Sequence, residues 1–308
     1  SKGYMWIGTD DGLNKYNGYN VSVYNYEIDN EESLSSTHIT AILEDEEENM
    51  WIGTEEGLNI LNKDTGKVTR VPAGIDNEKG ITDSNVTVIF KDSKDNIWIG
   101  TEHGLNMYNK DNKTFKKYIF DLENGTKTCN NHITDIKEDI NGYLLVATKC
   151  GINIVNLENY AIVDNEKPCK ERKYIYSMEE DNKNNLWMAT DEGLYKYDMV
   201  TKELTLLNID IEDGLNSKVE NIFSDSNNNL WLSSTNGAIK YNQDTESFTV
   251  YKNEDLYDYS LSSNYVNTFY EDKNNNIWIG TSNGLNILSN SQQFTTILNY
   301  GKGYYCRN

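Results

Sequence analysis

Proline is almost missing from this chain, with two residues in 308. That excludes Pro-rich linkers and stalks. Basic residues are also scarce: Lys and Arg total 28 against 49 Asp and Glu, a formal charge of −21. No basic face is on offer to a phosphate backbone, so nucleic acid is not an expected partner. An anionic membrane surface is disfavoured for the same reason. No apolar run approaches the roughly 18 residues a bilayer span requires. The usual catalytic signatures are missing as well. There is no G-x-S-x-G elbow, no Gly-rich phosphate loop, no H-E-x-x-H and no C-x-x-C pair. What the chain has in quantity is aromatic: 11% of residues, with 22 tyrosines. At a charge of about 0.07 per residue that content argues for a packed protein rather than a disordered one.

Self-similarity organises the rest. Trp-Ile-Gly-Thr occurs at Trp6–Thr9, Trp51–Thr54, Trp98–Thr101 and Trp278–Thr281, with looser copies beginning at Leu145, Trp187 and Trp231. The anchors at 6, 51, 98, 145, 187, 231 and 278 are spaced by 45, 47, 47, 42, 44 and 47 residues. Six residues after each anchor stands glycine, from Gly12 to Gly284. Six before it stands Asp45, Asp92, Asp139, Asp181, Asp225 or Asp272, and twelve before it Ile or Val. Seven repeats follow, each reading as four short strands of β-branched and aromatic residues parted by turns. Thr-x-x-Gly-Leu has the shape of a three-residue hairpin loop closed by a left-handed glycine. Three before the anchor lies Gly3, Glu48, Asp95, Gly142, Asn184, Asn228 or Asn275. All but Glu48 tolerate the positive φ of a bulged hairpin. The pattern predicts an all-β fold: a seven-bladed β-propeller of four-stranded antiparallel blades, about 45 residues per blade.

The motif Asp-x-x-x-Asn-(Ile/Leu)-Trp-Ile-Gly-Thr-x-x-Gly-Leu-Asn, cleanest at Asp92–Asn106 and Asp272–Asn286, resembles the two-component regulator propeller repeat. The opening Ser1–Tyr16 is similar to that family's usual first repeat, and the resemblance runs over residues 1–300. It implies the extracytoplasmic sensor region of a membrane-anchored bacterial signalling protein. Such proteins are often histidine or hybrid kinases, sometimes diguanylate cyclases, and many are associated with oligosaccharide sensing. On that reading residues 1–300 are one propeller and 301–308 a C-terminal tail, while the membrane helix and output domain lie outside the chain. Ser1-Lys2-Gly3-Tyr4-Met5-Trp6 is neither a signal peptide nor a native start, so we expect a fragment. Blade 1 then lacks its inner strand, supplied either by upstream residues, which we favour, or by the tail.

The tryptophans read as wedge fillers between blades, the glycine and threonine after them as close-approach and hydroxyl-bonding residues, and the repeated Asp as a hairpin cap. Asp225–Asn229 resembles an oxygen-ligand loop but lacks the glycine at position six and the distal Glu of a calcium loop. Strand alternation puts the loops between second and third strands on one face with the residues that lead into each inner strand. Those lead-in residues differ widely in chemistry: His38, Asn85, His132, Tyr174, Lys218 and Tyr265. With His103 they form the candidate ligand-binding set, either as an asymmetric funnel or as plain solvated loop ends. Asp10, Asp11, Glu55, Glu56, Glu102, Asp191 and Glu192 share that face, with neutral pairs Thr235-Asn236 and Ser282-Asn283. The spacing of His38, His103 and His132 supports no metal site. We expect no catalytic residue, cofactor or metal. Cys150 pairs with Cys129 or Cys169, or the thiols stay free. The expected partner is a small oligosaccharide-like ligand, with homodimerisation open. A carbohydrate-active propeller enzyme and a protein-docking propeller are the alternatives.

Overall fold

The computed structural model describes residues 3–120, 129–163, 173–207, 209, 218–234, 236–254, 257, 259–289, 294–298 and 306–307. Among them lie seven four-stranded antiparallel sheets, the blades of a β-propeller, and the single 3-10 turn Cys129–Asn131. Blade 2 runs Ile39–Glu44, Asn49–Thr54, Gly57–Asn62 and Val68–Val71; blade 3 runs Val86–Lys91, Ile97–Thr101, Gly104–Asn109 and Thr114–Tyr118. Blade 4 comprises Ile133–Glu138, Tyr143–Thr148, Gly151–Asn156 and Ala161–Val163. Blades 1 to 4 belong to one compact unit and blades 5 to 7 to a second. In the second unit the inner strands are Ile175–Glu180, Ile222–Ser224 and Val266–Glu271.

Blade 1 differs from the sequence reading. Its sheet is Met5–Thr9, Gly12–Tyr16 and Val21–Tyr24, with Cys306–Arg307 beside Met5–Thr9. The chain's own tail thus takes the inner place that we expected this chain to leave unfilled. An open edge of N–H and C=O groups accepts any extended segment within reach, and two residues suffice for a short strand. Most of the tail, residues 301–305 and 308, lies outside the described residues.

Within each unit the core sits between successive blades. Trp51 packs with Ile81, Val86, Ile97 and Ile99 of blade 3, and Trp98 with Ile133, Ile136, Leu144 and Val146 of blade 4. Trp187 meets Ile222, Leu230 and Leu232, while Trp231 meets Val266, Phe269 and Ile279. These four indoles are buried; Trp6 and Trp278 are half-buried. A large ring fills the wedge that twisted sheets leave as they diverge, and losing one costs about 3–5 kcal/mol. In five blades a bulge follows the first residue of the inner strand, as between Val86 and Val88.

The repeated Asp does more than cap its hairpin. Asp92 Oδ1 accepts the backbone N–H of Asn96 at 2.8 Å, while Oδ2 accepts the indole N–H of Trp98 at 2.8 Å. Asp45, Asp181, Asp225 and Asp272 hold their tryptophans in the same way at 2.8–2.9 Å. The buried indole N–H would otherwise go unsatisfied. Blade 4, with Leu145 for Trp, keeps only the cap, Tyr143 N–H to Asp139 Oδ1 at 2.8 Å.

Candidate functional site

The loop between second and third strands is tighter than the sequence suggests. Thr101 pairs directly with Gly104, and the same Thr/Ser–Gly register recurs in all seven blades, so two residues span each loop rather than three. Gly104 sits at φ +137°, its six equivalents between +116° and +152°, where a Cβ is not tolerated. The threonine hydroxyl locks the loop. Thr101 Oγ1 donates to Gly104 O at 2.9 Å and accepts the N–H of His103 at 3.2 Å.

Behind the loop a buried polar knot ties it to the segment leading into the blade. Asn106 Oδ1 accepts Thr82 N–H at 2.9 Å, its Nδ2 donates to Thr82 Oγ1 at 3.0 Å, and Thr82 and Thr101 hydroxyls meet at 2.8 Å. Ser35, Thr54 and Asn59 repeat this in blade 2; Ser262, Thr281 and Asn286 repeat it in blade 7. In blade 4 the residue at the Ser35/Thr82 position is Cys129, and it is disulfide-bonded to Cys150 in the loop, with a Cα–Cα distance of 5.4 Å. Cys169 lies outside the described residues. Three of the lead-in residues are also held against their loops through the backbone: Glu102 N–H donates to Asn85 O at 3.1 Å, Lys149 N–H to His132 O at 3.3 Å and Ser282 N–H to Tyr265 O at 2.9 Å.

In the first unit the histidines are all half-buried beside carboxylates. His38 lies between blades 1 and 2, Nδ1 at 3.1 Å from Asp10 and Nε2 at 3.2 Å from Glu55. His103 Nδ1 is 2.7 Å from Asp83 Oδ2. His132 Nδ1 is 3.7 Å from Glu102 Oε1. Burial, with Lys149 and His103 adding to it against Glu102, pushes His132 down to about 4. It is a neutral imidazole at ordinary pH. Asp83, the partner of His103, escaped the sequence reading. It stands one turn ahead of the lead-in residue, where a Ser in blades 2 and 7 gives no hint of charge.

The second unit presents aromatic and cationic groups. Tyr174 stacks on Tyr176, centroids 4.1 Å apart at 24°, and Lys218 Nζ stands 4.6 Å over the Tyr176 ring. Lys218 also pairs with Glu220. Burial pulls the Lys218 pKa down, but the Glu220 bond outweighs it and the net shift is upward. Burial beside Tyr176 raises that of Tyr174. Tyr265 stands apart and exposed, and Asn85 engages through its backbone to Asp83 and Glu102. Sequence reasoning missed Tyr176, whose place inside the inner strand marks it as structural. It also missed Lys173, which grips Glu192 at 2.7 Å and Tyr195 at 3.1 Å. That contact raises the lysine and lowers the carboxylate.

Four segments, residues 33–56, 80–103, 171–192 and 260–283, match the family model described as two component regulator propeller. No curated protein matches the chain in sequence. Among solved structures it resembles the extracellular domain described as that of a hybrid two component system of B. thetaiotaomicron, with a TM-score of 0.75 at 19% identity. That likeness covers 97% of this chain and 46% of the other. PorZ, a surface component of the type-IX secretion system of Porphyromonas gingivalis, gives 0.65 at 18%, over 92% and 45%. Virginiamycin B lyase of Staphylococcus aureus gives 0.65 at 14%, over 88% and 86%. The chain spans under half the length of the first two, and at these identities all three are likenesses of fold. Four of the seven repeats, those of blades 2, 3, 5 and 7, thus match the two-component regulator propeller family.

Proposed function

We propose that this propeller is the extracytoplasmic input domain of a two-component-type receptor and that it binds a small saccharide on the loop face. The observation that carries the reading is the stacked Tyr174–Tyr176 pair with Lys218 and Glu220 beside it. Aromatic faces flanked by fixed charged hydrogen-bonding groups suit the apolar face and hydroxyl rim of a sugar ring. The four repeats that match the family model and the fold likeness to an extracellular two-component domain support the sensor role. Among the described residues no helix is long and apolar enough to cross a membrane, so in this reading anchor and output lie elsewhere in the receptor. The ligand signals only to the extent that it prefers one of two arrangements of the receptor.

A thermal-shift panel of plant, host and microbial oligosaccharides tests this. Saturation at about 100 times Kd stabilises by roughly 2.7 kcal/mol, a shift of several degrees for this size. We expect one sugar class to shift the melting temperature, Tyr174→Ala to abolish the shift, and mass spectrometry to find the sugar intact. Cleaved product would instead make the propeller an enzyme, and a shift that survives Tyr174→Ala would place the ligand elsewhere.

A further inference from the structure

Blade 3 brings two carboxylates together where the other blades do not. Asp83 and Glu102 occupy the positions of Ser263 and Ser282 in blade 7, whose hydroxyls bond to one another at 2.7 Å. In blade 2 the same pair is Ser36 and Glu55. The turn itself requires only one small acceptor ahead of the lead-in residue. Ser36 Oγ accepts His38 N–H at 3.2 Å, Ser263 Oγ accepts Tyr265 N–H at 3.1 Å, and Asp83 Oδ1 accepts Asn85 N–H at 2.9 Å. A serine performs that task, so the second oxygen of Asp83 is surplus to the turn. That oxygen faces His103 Nδ1 at 2.7 Å.

Donor atoms of Asp83, Glu102 and His103 all lie within 4.8 Å of one another, on half-buried residues. His132, from the next blade, brings its Nδ1 to 3.7 Å from Glu102. Two carboxylates this close repel, the more so in a chain of net charge −21. A cation between them turns that repulsion into binding. One imidazole with two carboxylates is a donor set for zinc and similar divalent ions, whereas calcium takes oxygen alone. Tetrahedral coordination at about 2.1 Å sets donors ~3.4 Å apart. The Asp83–His103 contact therefore opens by less than one ångström, and the wider pairs close.

We propose that Asp83, Glu102 and His103 bind one divalent transition-metal ion, zinc by donor set, with His132 adjacent as a further donor. Three protein ligands leave the fourth tetrahedral position to His132 or to a small exogenous ligand. The site does not depend on the saccharide reading, and its test contains no sugar.

The test is calorimetric titration of the EDTA-treated, dialysed protein with zinc chloride, with calcium chloride in parallel. The expected result is one zinc per chain, binding tighter than calcium. Asp83→Ser, which keeps the turn acceptor that blades 2 and 7 use, and His103→Ala are each expected to weaken zinc binding about tenfold or more. Both variants should melt, metal-free, where the parent does. Glu47→Gln removes a charge of the acidic run Asp45–Glu48 and should leave zinc affinity unchanged, separating a built site from general attraction. Substoichiometric binding, calcium as tight as zinc, undiminished affinity in Asp83→Ser and His103→Ala, or an equal loss in Glu47→Gln would each overturn the assignment.

Discussion

Seven equivalent hairpin residues adopt positive φ, and at six of them the residue type suits the conformation. Glu48 holds φ 61°, a conformation its residue type disfavours relative to Asn, Asp or Gly. Glu48→Asn is expected to stabilise the protein by about 0.5–1 kcal/mol, read as a higher urea midpoint at unchanged m-value. The buried asparagine knot runs the other way. Asn106→Ala strips Thr82 of the partner for its N–H and leaves buried polar groups unmatched, which costs about 1–3 kcal/mol. Asp272 provides the pH-dependent case. Burial raises its pKa, but bonds from Asn276, the Trp278 indole and backbone N–H groups outweigh that and hold it below the usual carboxylate value. A folded pKa below the unfolded one means the stability is fully present above the ordinary Asp range and is lost as pH falls through the folded value. Asp272→Asn should therefore flatten part of the acid limb of the melting curve and lower stability at neutral pH. An unchanged acid limb would remove Asp272 from that role.

Among the elements, blade 4 is the exception that shows what the others need. It has lost the Trp and its Asp–indole bond, and at the position where blades 2, 3 and 7 build a Ser/Thr–Asn knot it carries Cys129, bonded to Cys150 across 21 residues. Closing a loop of this length stabilises by about 3 kcal/mol in the chain-entropy account. Reduction, or Cys129→Ser with Cys150→Ser, is expected to lower the melting temperature by several degrees. If reduction leaves melting unchanged, the knot residues Thr148 and Asn153 suffice without the bridge. The seven blades themselves were legible because the repeat is written in every copy: anchor, glycine, aspartate and β-branched residue at fixed offsets. The Asp–indole bond was not, although both partners were identified. A six-residue offset names two residues of one hairpin without saying that the indole edge turns back over the turn.

For the molecule as a whole, 49 acidic against 28 basic residues is a standing repulsion. Raising salt from about 10 to 150 mM shortens the Debye length from about 30 to 8 Å, and self-repulsion in the folded chain falls accordingly. The melting temperature should rise over that range. A fall would mean that specific ion pairs such as Lys173–Glu192 outweigh the net charge. The candidate site was only partly visible beforehand. Asking which aligned position varies most in chemistry picked out the lead-in row as candidates, His132, Tyr174 and Lys218 among them. It could not reveal Asp83, Tyr176 or Lys173. Their importance comes from side chains meeting across segments, such as Lys218 with Tyr176, 42 positions apart in sequence.

By itself the sequence determined the blade count, the four-strand unit, the loop face and the wedge role of the tryptophans. Each of these is a local property repeated at constant offset, and repetition averages away the ambiguity of any single copy. Tertiary structure decided what repetition cannot encode. It set the two-residue span of the loops, which follows from strand register rather than from composition. It put the tail beside the open edge of blade 1, a pairing between the two ends of the chain. It chose Cys129 for Cys150, and it brought Asp83, Glu102 and His103 to one corner. These outcomes depend on distances between residues far apart in the chain, and only the packed sheets set those distances.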